Sequence, residues 1–442
     1  MSKSTIKQPS LKSLEKDCSS IGLEKHDQTL LVTSPTPAAM LSTAILSRLI
    51  SNMGKRFHIT YSEPVMTVDT VNDLRQKYDS SALFLVGINI VGSGRVKKGS
   101  SYPIIIGGES ESEQIESLRV GTSLTLAATA YVLSESFEKK FDYDLQLAAA
   151  GVLLSINPEK TKKNANNEII ELTKSKGLIE ERKGFRLLGV NMLPLDEVFL
   201  YSTYPYLKAL SGNQKACDAL LNEAEIPVQK LRVPLTNLST SEAQRLTSKL
   251  IPTLDSNTLT KLFGTDYEFL KERESSPFRH LSGIEIVGST AWVLRELGAL
   301  MSVLLGDRGR ALRLLMDSHM SHHKDVISAV QRLESGSKSE SSTSATIVKM
   351  SGYRVELLPD IGRIAIETGI VDADRPVALD HDDAFIIVWP SQNLKLKDVF
   401  QRIMNEKIEQ SATSTQSIKI AGGPQEKEKA LQIISAMNKE SG

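Results

Sequence analysis

Residues 29–50, TLLVTSPTPAAMLSTAILSRLI, decide the fold. The first five residues are a short apolar run of the kind that makes a buried strand. Ser34, Pro35 and Thr36 are turn formers, and beyond them Leu41, Ile45 and Leu49 recur at i, i+4 and i+8, one face of a helix. The segment therefore predicts strand, turn, helix. Gly54 closes the helix, and FHIT (57–60), ALFLV (82–86) and PIII (103–106) read as further strands. Helical patterns near 71–78, 122–134 and 144–155 alternate with them, and that alternation implies a parallel α/β sheet.

The rest of the chain changes character twice. Residues 1–20 are rich in Ser and Lys and lack periodicity, so a flexible leader is expected before an α/β domain over 21–156. After the polar break NPEKTKKNANNE (157–168) the pattern turns mostly helical, with clear helices at 241–251, 288–305 and 308–333. This middle region, 157–333, is expected to complete the first lobe. ESGSKSESSTSA (334–345) reads as a Ser-rich linker. Beyond it, 346–442 reads as a smaller α+β domain. Its β-like runs are TIVKM, YRVELL, GRIAIETGIV, PVAL and AFIIVW; a helix at 395–408, the low-complexity QSATSTQS (410–417), a strand SIKIAGG and a helix at 425–438 follow.

Composition narrows the function. The 442 residues hold 53 Lys plus Arg against 53 Asp plus Glu, and the four regions 1–20, 21–156, 157–333 and 334–442 carry +2, −2, +3 and −3. A protein held to nucleic acid mainly by counterion release would be strongly basic, so that class is excluded. Two cysteines, Cys18 and Cys217, are too few for a disulfide framework or a cysteine-based zinc site and fit a reducing compartment. No apolar core of a signal peptide and no membrane-length apolar run is visible, so a cytoplasmic protein without a membrane partner is expected.

Two longer segments carry a resemblance. RKGFRLLGVNMLPLDEVFLYSTYPYLKALSG (182–212) is similar to a stretch ending in Y-S/T-x-x-P-Y-I-x-G-x-S/T-G, and KLFGTDYEFLKERESSPFRHLSGIEIVGSTAWVLRELGALMSVLLGDRGRALRLL (261–315) to the region that follows it, in the archaeal RecJ-like proteins of the DHH phosphoesterase superfamily. The resemblance implies a DHH-type parallel α/β domain, a mostly helical middle and a C-terminal DHH-associated domain. Enzymes of that family hold two Mn or Mg ions, using a His-x-Asp-x-Asp turn, a second Asp, an Asp-His-His turn and a further Asp. Two hard cations need several carboxylates to offset their charge.

Here the first turn reads SPTPAA (34–39), so Ser34 stands at the His and Thr36 and Ala38 at the two Asp positions. The second reads INIVGSG (88–94), placing Ile90, or Asn89 with a slip of one, at the Asp. The third reads IIIGGES (104–110), with Gly107, Gly108 and Glu109 at Asp-His-His, and Ser155 falls near the last Asp. Glu109 is the one residue of this set able to bind a metal, so no metal site and no cofactor are expected. In the C-terminal domain, ATSTQSIKIAGG (412–423) offers Ala421 and Gly422 where the family has a GGGH substrate loop, without its histidine. The resemblance thus implies a catalytically inactive member, similar to the eukaryotic cell-division-cycle factor that joins GINS and the MCM ring in the replicative helicase. GINS and MCM are the implied partners, with single-stranded DNA as a further ligand. The alternative is an active single-strand-specific 5'-3' exonuclease or nucleotide phosphoesterase with atypical metal ligands.

Other constellations have two readings each. HMSHHKD (319–325) places His319 and His323 at i, i+4; Met320 stands where a helical zinc motif needs Glu, which favours solvated helix-face histidines. VALDHDD (377–383) and DAD (372–374) read as hairpin turns. GSGRVKKG (92–99), with Arg95, Lys97 and Lys98, is a phosphate nest or an exposed loop. DRGRALR (307–313), with Arg308, Arg310 and Arg313, is a phosphate or acidic-partner contact or a solvated helical face. The acidic run ESESEQIE (109–116) would repel a phosphate or is an exposed loop, and Trp292 and Leu294 read as core.

Overall fold

A computed structural model describes residues 23–79, 81–92, 94–96, 103–107, 118–120, 124–137, 141–155, 164–335, 339–341 and 345–441. The leader, Cys18, Lys97, Lys98, Gly108, Glu109, the acidic run 109–116 and most of the 157–168 break lie outside these residues. The chain forms two compact units. One comprises 1–180, 269–271 and 297–311; the other comprises 181–268, 272–296 and 312–442. The Ser-rich stretch 334–345 falls inside the second unit, where Ser339–Ser341 pairs antiparallel with Thr346–Lys349.

The first unit is built on a five-stranded parallel sheet in the order β2-β1-β4-β6-β7, formed by Gln28–Thr33 (β1), Arg56–Tyr61 (β2), Ala82–Val86 (β4), Ile104–Ile106 (β6) and Leu118–Val120 (β7). Val65–Thr67 (β3) and Asn89–Val91 (β5) form a separate parallel pair that the sequence did not announce. Helices Pro37–Asn52 (α1), Val68–Lys77 (α2), Leu126–Ser136 (α3), Asp142–Ser155 (α4) and Ala165–Ser175 (α5) accompany the strands, with Leu297–Leu304 in the same unit. Leu30, Val32, Leu83 and Leu85 alternate along β1 and β4 and bury one face of the sheet under Val68 and Val71 of α2. Helix α1 packs on the sheet with α3 and α4 against it, all three rich in Ala and Leu. The chain leaves β1 for β2 on one side and returns to β4 on the other. That makes the carboxyl ends of β1 and β4 the switch point where open α/β sheets bind ligands.

Ile179–Phe185 (β8) and Phe263–Phe269 (β9) form a two-stranded sheet, and the second unit contains a six-stranded mixed sheet made of Ser339–Ser341 (β10), Thr346–Lys349 (β11), Val377–His381 (β12), Ala384–Val388 (β13), Gln410–Ser414 (β14) and Ser417–Ile420 (β15), in the order β10-β11-β12-β13-β15-β14. Period-two alternation sends Val377, Leu379, Ile386 and Val388 to one side, against the helix Leu358–Glu367 and the long helix Arg310–Glu334. Ala378, Phe385, Ile387 and Trp389 face the other side, against Leu396–Asn405 and Pro424–Ser441. A further core under Leu195–Leu200, Gln214–Glu223 and Thr240–Leu250 carries the middle region.

Several local readings need correction. GRIAIETGIV (362–371), read as β, begins as the second half of the helix Leu358–Glu367 and leaves it at Thr368: Pro359 opens the helix, and Leu358, Ile361 and Ala365 recur at helical spacing on its buried side, which overrides the β-branched composition. QSATSTQS is not unstructured but supplies edge strand β14, its main chain paired with β15. The helix expected over 288–305 is broken between Leu281–Val293 and Leu297–Leu304, where Arg295 takes φ +57°. Trp292 and Leu294 near that break are only half-buried, whereas Trp389 is fully buried.

Candidate functional site

The switch point is assembled from the turn after β1 and the glycines after β4 and β6. The Ser34 amide donates to Val86 O at 3.0 Å, the Gly87 amide donates to Ile106 O at 3.0 Å, and these bonds tie the three strand ends together. Ser34 is fully buried, and its hydroxyl lies 3.1 Å from that of half-buried Thr36, so the two satisfy each other. Gly87 (φ +65°) and Gly107 (φ +56°) both turn the chain through the left-handed region that favours glycine. A Cβ on Gly87 would lie 2.8 Å from Ser34 Oγ, 2.9 Å from Ala39 Cβ and 3.3 Å from Leu126 Cδ1; one on Gly107 would lie 2.3 Å from Leu126 Cδ2. Leu126, the first residue of α3, thus caps both glycine turns.

Among the described residues, the donors present do not fit two divalent ions. The described positions brought together are two hydroxyls bonded to each other, two glycines and the aliphatic groups of Ala39 and Leu126, with no carboxylate among them to offset cationic charge. Ala38 is a half-buried residue in the first turn of α1. Ile90 does not join this end at all: it lies 1% exposed in β5 and belongs to the core under α2. Ser155 is exposed at the end of α4 and donates to Gly151 O at 2.7 Å. Among the described residues, no group of three or more His, Cys, Asp or Glu side chains could hold a metal ion.

The basic candidates divide. Arg308 is committed internally: it donates to Tyr143 Oη at 2.7 Å, and its guanidinium also reaches Val303 O. Arg48, which the sequence reading passed over, pairs with fully buried Asp144 at 2.6 Å, donates to Leu304 O at 3.2 Å and stacks on Tyr143 at 4.6 Å. Burial raises the Asp144 carboxyl from its ordinary value, against the opposing pull of Arg48. Arg310 and Arg313 are exposed, as is Arg95, whose main-chain oxygen accepts from Asn72.

In the second unit, the histidines expected on a solvated face are buried instead. His319 and His322 are each 1% exposed and His323 6%. The Thr290 hydroxyl donates to Ile286 O at 3.0 Å, so at 3.2 Å it accepts from His323 Nε2–H, leaving Nδ1 to accept from Thr203. His322 Nε2 donates to Asp360 at 2.9 Å, and Arg363 bonds Asp360, Glu367 and Thr203 O, each at 3.0 Å. Burial works to raise the Asp360 carboxyl, but the hydrogen bond from His322 and the charge of Arg363 outweigh it and hold the group well below the usual carboxylate range. The His319 ring stacks on His323 with centroids 3.9 Å apart, and neither of its nitrogens has a partner. Both rings border a cavity of about 20 Å³, room for a single water. Burial lowers both histidines, His323 to about 3. Sequence alone signalled this cluster only through the i, i+4 spacing. VALDHDD, by contrast, is the expected hairpin, with Asp382 and Asp383 between β12 and β13.

No protein-family model and no curated protein matches the chain. Solved structures do. CDC45 from Entamoeba histolytica superposes with a TM-score of 0.66 at 13% identity, over 96% of this chain and 98% of that one. RecJ from Thermus thermophilus in complex with Mn²⁺ gives 0.52 at 11% identity, over 98% of this chain and 56% of that one. An exonuclease RecJ bound to manganese gives 0.51 at 10% identity, over 98% and 95%. In fold, this chain is RecJ-like and CDC45-like, as the resemblance in its sequence implied.

Proposed function

We propose that this chain is a non-catalytic RecJ-like factor of the replicative helicase assembly, acting through contacts with GINS and MCM subunits rather than by phosphodiester hydrolysis. One observation carries the reading: the switch point is closed by Ser34, Ala39 and Leu126 so tightly that a methyl group on Gly87 has no room. The CDC45-like fold supports the assignment to a replication factor, and the +0 formal charge suits a scaffold whose partners are chiefly proteins. Single-stranded DNA is a secondary ligand in this reading. The test has two arms. Affinity purification of the tagged chain from its native extract is expected to recover GINS and MCM subunits, and their absence counts against the scaffold role. Incubation with manganese and a labelled single-stranded oligonucleotide is expected to give no turnover, and sustained hydrolysis overturns the non-catalytic assignment.

A further inference from the structure

We infer that the open edge of β2 is a docking site for an extended acidic segment of a partner protein, which adds to the parallel sheet as a further strand. Among the described residues, β2 pairs with β1 alone. The Arg56 amide donates to Asp27 O and the Ser62 amide to Thr33 O, so even-numbered residues turn their main chain toward β1. Phe57, Ile59 and Tyr61 therefore turn their N–H and C=O groups outward, and among the described residues these groups have no main-chain partner.

The side chains beside this edge select charge. Arg56 and His58 are exposed on the face of β2 that continues from Gln28 and Leu30 of β1, the side on which α2 packs, and among the described residues neither side chain makes a hydrogen bond or ion pair. With Gln28, Lys55, Phe57 and Tyr78 they line an open dish of about 460 Å³. Lys55 is already engaged, its ammonium donating to Leu23 O and His26 O, and Lys77 sits over the Tyr78 ring at 5.5 Å. The acidic residues near in sequence are Glu24, Asp27, Glu63 and Asp79, none of which lines the dish; Asp79 pairs with Arg75 at 3.8 Å. The unengaged Arg56 fork favours carboxylates, and the unpaired main chain favours a peptide strand, which a nucleic acid cannot supply. The inference does not rest on the proposed function and stands whether or not the helicase role holds.

The test uses the full chain and a fluorescein-labelled ten-residue peptide of alternating Glu and Val. Fluorescence anisotropy is expected to show binding below about 1 mM, weakened at least tenfold by Arg56→Glu and by N-methylation of alternate peptide amides. Hydrogen exchange is expected to slow at Phe57, Ile59 and Tyr61 when the peptide binds. Equal binding of the N-methylated peptide, of a Lys/Val peptide, or no binding at all overturns the proposal. So does a single-stranded oligonucleotide that competes through Arg56 as well as the acidic peptide does, since that outcome assigns the surface to nucleic acid. The Arg56 side chain is exposed and among the described residues bonds nothing, so the charge reversal leaves the fold intact, which circular dichroism checks.

Discussion

Replacing His319 by Leu should leave the protein as stable at neutral pH and make it markedly more resistant to acid. His319 is 1% exposed with both nitrogens unpartnered, so at pH 7.5 its removal deletes two unsatisfied polar atoms at nearly constant volume. The expected change there lies between zero and a gain of about 1 kcal/mol. The acid limb follows from linkage. Burial lowers His319 and His323 in the folded state below their ordinary value near 6.5, so the unfolded chain binds protons first as pH falls. Their contribution is intact above pH 6.5 and drains away toward the folded value, about 3 for His323. Each such histidine steepens the loss by about 1.4 kcal/mol per pH unit once the unfolded form is protonated, so the pair gives about 2.8 and the variant half of that. Groups elsewhere titrate alike in both proteins and cancel in the difference. Trp292 and Trp389, the two tryptophans of the chain, both lie in the unit that holds the cluster, so their fluorescence during urea unfolding reports that unit. A stability difference between parent and variant that stays constant from pH 7.5 to pH 4.5 refutes the buried-neutral reading. So does a loss above about 2 kcal/mol at pH 7.5, the size expected when a satisfied buried group is removed.

Three further outcomes follow from the first unit. Gly87→Ala should cost about 2–4 kcal/mol, combining a left-handed φ of +65° with contacts under 3 Å, while Gly54→Ala, at φ +74° in open space, should cost about 1 kcal/mol; urea midpoints by circular dichroism separate them. Arg48→Met should destabilise by about 3 kcal/mol at pH 7.5 by leaving Asp144 buried and unpaired. The same unfolding series should show the penalty shrinking as pH falls and the carboxyl neutralises, and the Arg48→Met, Asp144→Leu double variant should recover most of it. The triple variant Ser34→His, Thr36→Asp, Ala38→Asp should gain neither manganese binding by calorimetry nor nuclease activity, because Leu126 and Ala39 still fill the switch point.

How far the sequence reached depends on what fixed each feature. The α/β unit was legible because TLLVT, ALFLV and PIII are buried strands whose apolar runs cannot be anything longer, and Leu41, Ile45 and Leu49 fix α1 by spacing alone. GRIAIETGIV misled because β-branched residues are weak strand evidence once Pro359 and an i, i+3, i+4 apolar spacing act together. The histidines misled in the opposite direction: polar type suggested solvent, but Thr203, Thr290 and Asp360, distant in sequence, supply the partners that let His322 and His323 be buried. The paired strands β3 and β5 are three residues each, too short for any periodicity to register.

The switch point shows the difference most sharply. Motif reading found hydroxyl and aliphatic residues at Ser34, Thr36 and Ala38, which removes ligands but leaves open a carboxylate imported from another segment. Packing addresses that possibility directly. Gly87, which no motif singled out, has its Cβ position occupied by Ser34, Ala39 and Leu126 within 3.3 Å, and Gly107 meets the same leucine. A cation with oxygen ligands at about 2.0–2.6 Å needs several times the space of one methyl group at that spot. Among the described residues, a carboxylate brought to that spot would have to move Leu126 before it could ligate anything there. Hydroxyl and aliphatic residues at Ser34, Thr36 and Ala38 and the close packing around Gly87 are independent observations, and their coincidence at one end of one sheet supports the proposed scaffold role over an enzyme with unfamiliar ligands.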